Sequence, residues 1–282
     1  MVAVALGLGS SLLWGLADFG GGLQARRVAL LAVMAVSQAA GLVGIVAFTL
    51  LAGGSFPGVA DLVPAAAGGV AGIVALTAFY RALAIGTMSI VAPISATGAA
   101  VPVFVGVAGG ERPGAAVAAG IVLAVVGVVL AAREQAPEGS TAAATARRSV
   151  VLALVGALGF GGFLVGMDAS TDEGVAWALL AARIASFSAL TLVVVATRPR
   201  FPDAPRTLGF LVGIGVLDLG ANACYAAATT QGLLSVVAVL ASIYPVVTVL
   251  LARAVLTERV RRVQEVGIAA AIAGIALIAS GA

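Results

Sequence analysis

Residues 234–260 read LSVVAVLASIYPVVTVLLARAVLTERV, and residues 88–114 read MSIVAPISATGAAVPVFVGVAGGERPG. Each runs from a serine through an apolar stretch interrupted by proline to a Glu-Arg pair at a turn. Ser235, Pro245 and Glu258-Arg259 mark one, and Ser89, Pro93, Pro102 and Glu111-Arg112 the other. About 20 apolar residues cross a bilayer as a helix, so each stretch is long enough to do so. The same pattern written twice points to an internal duplication.

The rest of the chain shares the character of these stretches. Of its 282 residues 62% are hydrophobic and only 10% charged, where a soluble domain carries about 25% charged residues. The mean hydropathy is +1.18. Such a chain has no polar skin to turn toward water and reads as a multi-pass membrane protein. The first apolar run lacks a basic leader and continues through Arg26 and Arg27 into another apolar run, so it reads as a true span rather than a cleaved signal. The net charge of +3 comes from arginines scattered singly or in small groups between spans, which does not point to a nucleic-acid partner. Cys224 is the single cysteine and histidine is absent, so an intrachain disulfide and a cysteine or histidine metal cluster are excluded, and no cofactor is expected.

Polar and Gly/Pro punctuation divides the chain into ten candidate spans, at about 2–21, 28–52, 61–84, 88–109, 114–132, 149–167, 174–196, 206–229, 233–254 and 262–280. The linker REQAPEGSTAAATARRS splits them five and five. Residues 1–132 form a first unit, 133–148 the linker and 149–282 a second unit. Sliding the second unit back by about 146 residues aligns Gly86 with Gly232, Ser89 with Ser235, Tyr80 with Tyr225, and Gly120 and Gly127 with Gly267 and Gly274, allowing slips of one residue.

An odd number of crossings per copy places the second copy upside down relative to the first. Loop charge tests this independently, because arginine is retained on the cytoplasmic side. Arg26 and Arg27 follow span 1, whereas Asp168, Asp172 and Glu173 follow span 6; Asp61 follows span 2, whereas Arg198, Arg200 and Arg206 follow span 7. Arg112 stands alone after span 4, against Arg259, Arg261 and Arg262 after span 9. The sequence therefore predicts an all-α integral membrane protein of ten helices in two inverted five-helix repeats. With Arg133, Arg147 and Arg148 in the linker, the arginine-rich loops share one face, and both termini fall on the non-cytoplasmic side.

Four stretches, LLWGLADFGGGLQARR, FYRALAIGTMSIVAPIS, CYAAATTQGLLSVVAVLASIYPVVTVLLA and TERVRRVQEVGIAAAIAGIALI, taken in this order, resemble the drug/metabolite transporter superfamily in its ten-helix EamA-type branch. The resemblance implies two repeats around a central cavity and export or exchange of small metabolites, often amino acids. Members are often drawn with cytoplasmic termini, opposite to the charge rule; eleven loop arginines against one favour the charge rule here.

A charged side chain at mid-membrane costs about 3 kcal/mol by insertion scales, so it faces a cavity or a partner. Asp218 lies near the middle of span 8, with Asn222 and Tyr225 at i+4 and i+7 on the same face. This stripe is either a polar wall of a substrate path, with Asp218 binding an amine or exchanging a proton, or an interhelical network that pairs Asp218 with Arg183 or Arg81. Ser11, Trp14 and Asp18 share one face of span 1; Asp18 is a second proton-coupling candidate or an interfacial acid near Arg26 and Arg27. Trp14 is either a cavity wall or a packing residue. Tyr80 and Tyr225 occupy equivalent repeat positions, which suggests a central location for both. Arg81 is expected to snorkel, Arg183 and Arg253 to pair or snorkel, and Gln38 and Ser37 are polar but uncharged members of span 2.

Pro93, Pro102 and Pro245 interrupt their helices and release carbonyls, which suits them to gating bends. Ser89 and Ser235 stand before these breaks, either lining the path or bonding back to the helix. Glycines seven apart in spans 5 and 10 suggest close helix packing, within a monomer or at a homodimer contact. Gly20, Gly21 and Gly22 follow no strand and precede no Gly-Lys-Ser/Thr, so they give no support to ATP energisation. The functional expectation is a secondary active transporter in the cytoplasmic membrane, with a small-molecule substrate and the lipid bilayer as partners. A facilitator or channel shares the same spans. An intramembrane enzyme is disfavoured, since the spans supply isolated aspartates rather than paired carboxylates.

Overall fold

The computed structural model describes residues 2–53, 55–110, 114–131, 140–170, 174–229, 240–241 and 243–281. Ser235, Glu111 and Arg112 lie outside these residues. Among the described residues every regular element is helical: α1 Val2–Gln24, α2 Leu30–Ala52, α3 Val59–Ile85, α4 Met88–Ala96, α5 Ala100–Ala108, α6 Ala115–Ala131, α7 Thr141–Asp168, α8 Val175–Thr197, α9 Pro205–Thr229, α10 Tyr244–Leu256 and α11 Arg262–Gly281. Seven helical stretches are long and apolar enough to cross a membrane: those beginning at Val2, Leu30, Val59, Met88, Thr141, Val175 and Pro205. The apolar helices Ala115–Ala131 and Tyr244–Leu256 are shorter.

Most helix ends fall within a few residues of the expected spans. The exceptions are α10, which starts at Tyr244 where the span was expected from 233, and α7, which starts at Thr141, inside the expected linker. Ser140 is its N-cap: the Ser140 hydroxyl accepts from the Ala143 N–H at 3.1 Å, satisfying one of the donors that a helix start leaves free. The fourth expected span is one continuous crossing in two helices. A 3-10 turn at Thr97–Ala99 separates α4 from α5, with Pro93 inside α4 and Pro102 inside α5. Pro102 has no N–H to offer the Gly98 carbonyl four residues earlier, which accounts for the break falling there. Pro245 sits in the first turn of α10, where a missing N–H costs nothing.

The two halves of the chain do not fold side by side. The most extensive helix pairings are α6 with α11, α3 with α7, α1 with α9, α3 with α8, α2 with α8 and with α9, and α1 with α10; each joins a helix of the first half to one of the second. Apolar exteriors accompany this: Val43, Leu50 and Leu51 on α2, Val122 and Val129 on α6, and Leu192 and Val195 on α8 are among the exposed large hydrophobics. Exposed apolar side chains on long helices are what a lipid environment solvates.

The α6/α11 pair shows how small residues set the approach. A Cβ built on Gly127 would stand 2.3 Å from the Ala271 nitrogen and 2.7 Å from the Gly267 carbonyl oxygen, both backbone atoms that cannot step aside. Gly127→Ala is therefore expected to force α6 and α11 apart and lower stability by roughly 1–3 kcal/mol, the usual cost of overpacking. Gly209→Ala, where the new methyl meets nothing within 4 Å, is the neutral control. Parallel thermal melts of the two variants in detergent provide the measurement.

Candidate functional site

Three helices meet at a charge pair near the middle of the bundle. Arg183 of α8 donates from Nη2 to Asp218 Oδ2 of α9 at 2.7 Å, and from Nη1 to the Gln38 side-chain oxygen of α2. Gly41, one turn along α2 from Gln38, leaves the space that the guanidinium fills; a Cβ there would lie 3.4 Å from Nη1. Of the two sequence alternatives for Asp218, the structure displays the interhelical pairing, with Arg183 as the partner. Arg81 is exposed. Asn222 turns its amide back to the Asp218 carbonyl at 2.7 Å and, with Ile45, Phe48, Leu179, Leu219 and Ala223, lines an apolar cavity of about 100 Å³ between α2, α8 and α9.

A second constellation surrounds α1. The Trp14 ring lies 6.0 Å from that of Tyr225 and 6.3 Å, edge-on, from that of Tyr244. One turn further along, Asp18 forms no side-chain hydrogen bond or ion pair among the described residues. It is electrostatically coupled to Asp218, Tyr80 and Tyr244, so both carboxylates and these phenols share one neighbourhood. Tyr80, 3% exposed, is seated against α1 because Gly21 has no side chain: a Cβ on Gly21 would stand 2.2 Å from the phenol ring. Gly15 does the same for α10, whose Tyr244 carbonyl and Val247 would lie 2.9 and 2.4 Å from a Cβ there. The hydroxyls of Ser10 and Ser11, one turn before Trp14, are buried without a hydrogen-bond partner among the described residues.

The alternative that places Asp18 beside Arg26 is not what the fold makes. Arg26 instead donates from Nε and Nη2 to the Leu83 carbonyl at 3.2 and 3.1 Å and from Nη2 to the Gly86 carbonyl at 3.1 Å, closing the C-terminus of α3. Its Nη2 also stands 3.5 Å from Glu258 Oε1. Glu258, just after α10, accepts the Met88 and Ser89 N–H groups at 3.0 and 2.9 Å, so it caps α4 and places a carboxylate at the positive end of that helix dipole. Ser89 is thus held at the start of α4 by its backbone, while its hydroxyl is buried and has no partner among the described residues. Removing these two caps with Glu258→Ala is expected to cost about 1–2 kcal/mol, with Glu258→Gln retaining part of it; chemical denaturation in detergent checks the order.

Of the residues proposed from the sequence, Trp14, Asp18, Tyr80 and Tyr225 gather around α1, Asp218 pairs with Arg183 beside them, and Asn222 and Ser89 engage elsewhere. Pro93 lies inside α4, Pro102 inside α5 and Pro245 in the first turn of α10. Tyr244 was not among the candidates, because a lone tyrosine ahead of a proline carries no periodic or repeat signal. In the sequence Glu258 is only half of a recurring Glu-Arg landmark, and its capping role needs tertiary structure to be seen.

Residues 147–280 match the model of the EamA-like transporter family. That stretch, just under half of the chain, is similar to EamA-like transporters. The match supports the drug/metabolite-transporter resemblance drawn from the quoted stretches, and with the long apolar helices it points to a multi-pass membrane transporter of that type. No curated protein matches the sequence. A solved crystal structure, described only as that of a protein, superposes on this chain with a TM-score of 0.65 at 16% identity, covering 98% of this chain and 95% of the other. At that identity the likeness speaks to the fold across both halves.

Proposed function

We propose that the protein is a secondary active transporter that exports or exchanges a small organic metabolite across the cytoplasmic membrane by alternating access. The observation that carries this reading is the uncompensated carboxylate of Asp18. The described interior holds two aspartates, Asp18 and Asp218, and one arginine, Arg183, which is already committed to Asp218. An ionised carboxylate left over inside a membrane bundle is costly. It is relieved by a proton or by a cationic group of the substrate, and competition between the two on one carboxylate couples their movements. Asp18 is therefore the preferred coupling residue, and Asp218 the member of a fixed pair.

The inverted repeat, with residues 1–132 and 149–282 as its copies and ten crossings in all, is supported by the way the pairings come in twos. Exchanging the halves turns α3/α7 into α1/α9, α3/α8 into α2/α9, and α1/α10 into α4/α7, and all six pairings occur. If successive spans alternate in direction, Arg26, Arg27, Arg147, Arg148, Arg198, Arg200, Arg206, Arg259, Arg261 and Arg262 share one end of the bundle. By the positive-inside rule that end faces the cytoplasm and the N-terminus the opposite side.

Reconstitution into proteoliposomes tests the reading. Preloaded solute is expected to accelerate entry of labelled solute from outside, and an imposed pH gradient to drive accumulation. Flux without such counterflow would make the protein a facilitator, and no flux for any amine, amino acid or sugar would overturn the proposal.

A further inference from the structure

We propose that the groove between α2 and α9 holds an acyl chain of an anionic phospholipid, whose phosphate is bound by Arg198, Arg200 and Arg206 in the turn between α8 and α9. This goes beyond the transport reading and depends only on the chain lying in a bilayer.

Three observations identify the occupant. First, a cavity of about 720 Å³ runs along these two helices, and every side chain that lines it is apolar. Ala35, Ala39 and Val43 of α2 form one wall, and Val212 and Val216 of α9 the other. Val43 and Val216 are 71% and 56% exposed, so the groove opens on the outside of the bundle, toward lipid. Second, the groove is as long as one leaflet is deep. Its inner end is closed where Leu219 packs on Gly44, and its outer end is Phe201, in the turn that follows α8. From Ala35 to Gly44, α2 rises about 14 Å, close to half of a hydrocarbon core about 30 Å thick. A partner helix or a second copy of this chain needs a seam through the whole core, whereas an acyl chain needs half of it.

Third, the mouth of the groove carries unmatched positive charge. Phe201 lies within RPRFPDAPR, residues 198–206, whose single acid is Asp203. Arg198, Arg200 and Arg206 are exposed, and their side chains make no hydrogen bond or ion pair among the described residues. Arg26, Arg183 and Arg253, by contrast, each meet a carboxylate. Gly215 stacks on Ser37, and Leu219 on Gly44, so α9 and α2 run the same way; Arg27, just ahead of α2, therefore adds to the charge at this end. Pro199, Pro202 and Pro205 narrow the backbone freedom of the turn, so less ordering is required when its guanidiniums close on a phosphate, which they grip through paired N–H donors. A choline headgroup would bring its own ammonium against these cations. A glycerol headgroup brings the phosphate charge alone, and basic residues at the membrane surface favour it.

Native mass spectrometry of the purified full chain tests this, with dioleoyl phosphatidylglycerol and dioleoyl phosphatidylcholine added in equal amounts. The two lipids share their chains, so any difference belongs to the headgroup. The expected result is one phosphatidylglycerol retained per chain, about tenfold or more tighter than phosphatidylcholine. Arg198→Gln/Arg200→Gln/Arg206→Gln should bring phosphatidylglycerol down to the phosphatidylcholine level. Arg259→Gln/Arg261→Gln/Arg262→Gln removes the same charge from another loop and should leave the preference intact. Ala39→Leu, which fills the groove, should weaken both lipids by about tenfold. Phosphatidylglycerol should also raise the melting temperature of the parent and not that of the first triple variant. Gel filtration certifies each variant as folded, and Arg200→Gln/Arg206→Gln replaces the first triple variant if that one elutes abnormally. Equal retention of the two lipids by the parent, equal loss in the two triple variants, or unchanged binding by Ala39→Leu would overturn the inference. So would a two-chain mass that disappears with Ala39→Leu, which would seat a second copy in the groove, or displacement of phosphatidylglycerol by excess inorganic phosphate, which would make the turn a phosphate site without the groove.

Discussion

Asp18→Asn is expected to abolish flux driven by a pH gradient while leaving the protein folded. Asparagine has nearly the shape of aspartate and can neither bind a proton reversibly nor pair with a cation. No hydrogen bond or ion pair is lost, because Asp18 makes none among the described residues, so elution profile, helicity and melting behaviour should stay within error of the parent. Activity should not: a charge worth about 3 kcal/mol on membrane scales corresponds to about a hundredfold in rate or affinity. Counterflow and pH-driven uptake in proteoliposomes measure it. Undiminished pH-driven uptake by Asp18→Asn would return the coupling role to Asp218 and dismiss the carboxylate on α1.

Arg183→Met should have the opposite profile, a large loss of folded protein in the first instance. It strands the Asp218 carboxylate, with side-chain exposures of 17% for Arg183 and 31% for Asp218 marking both as largely enclosed. Breaking one side of an enclosed pair costs about 3–5 kcal/mol, whereas replacing both partners by apolar residues is often neutral. The double variant Arg183→Met/Asp218→Leu is thus expected to recover most of the thermal stability that the single one loses. If single and double variants melt together at the parent temperature, the pair does not hold α8 to α9. If the double variant melts as low as the single one, the loss comes from packing around Gly41 rather than from the stranded charge.

These expectations depend on features of unequal visibility in the sequence. Where helices run was legible because apolar runs and Gly/Pro punctuation are local signals, and α2, α3, α8 and α9 begin and end within three residues of the expected spans. The register of faces was legible too: Ser11, Trp14 and Asp18 were placed on one side of α1 by spacing alone, and Trp14 does meet the rings of Tyr225 and Tyr244. Partner choice was not. Nothing local tells Arg183 to choose Asp218 over solvent, or Arg26 to close α3 rather than meet Asp18, since both outcomes are fixed by how separate helices pack. Tyr244 escaped for the same reason. The linker's composition carries no apolar span, yet Ser140 starts a helix within it, since alanine-rich sequence favours helix once a cap is supplied.

The crossing of partners between halves has a consequence for how the chain is made. A ribosome that has delivered α1 to α6 has inserted helices whose main contact surfaces belong to segments not yet synthesised. The glycine faces of α1, α3 and α6 must then wait in lipid for α9, α7 and α11. Neither half is a self-sufficient product, so a fragment stopped at residue 140 should be cleared by quality control in the cell, whereas the two pieces made together as separate polypeptides have every surface needed to find each other and assemble.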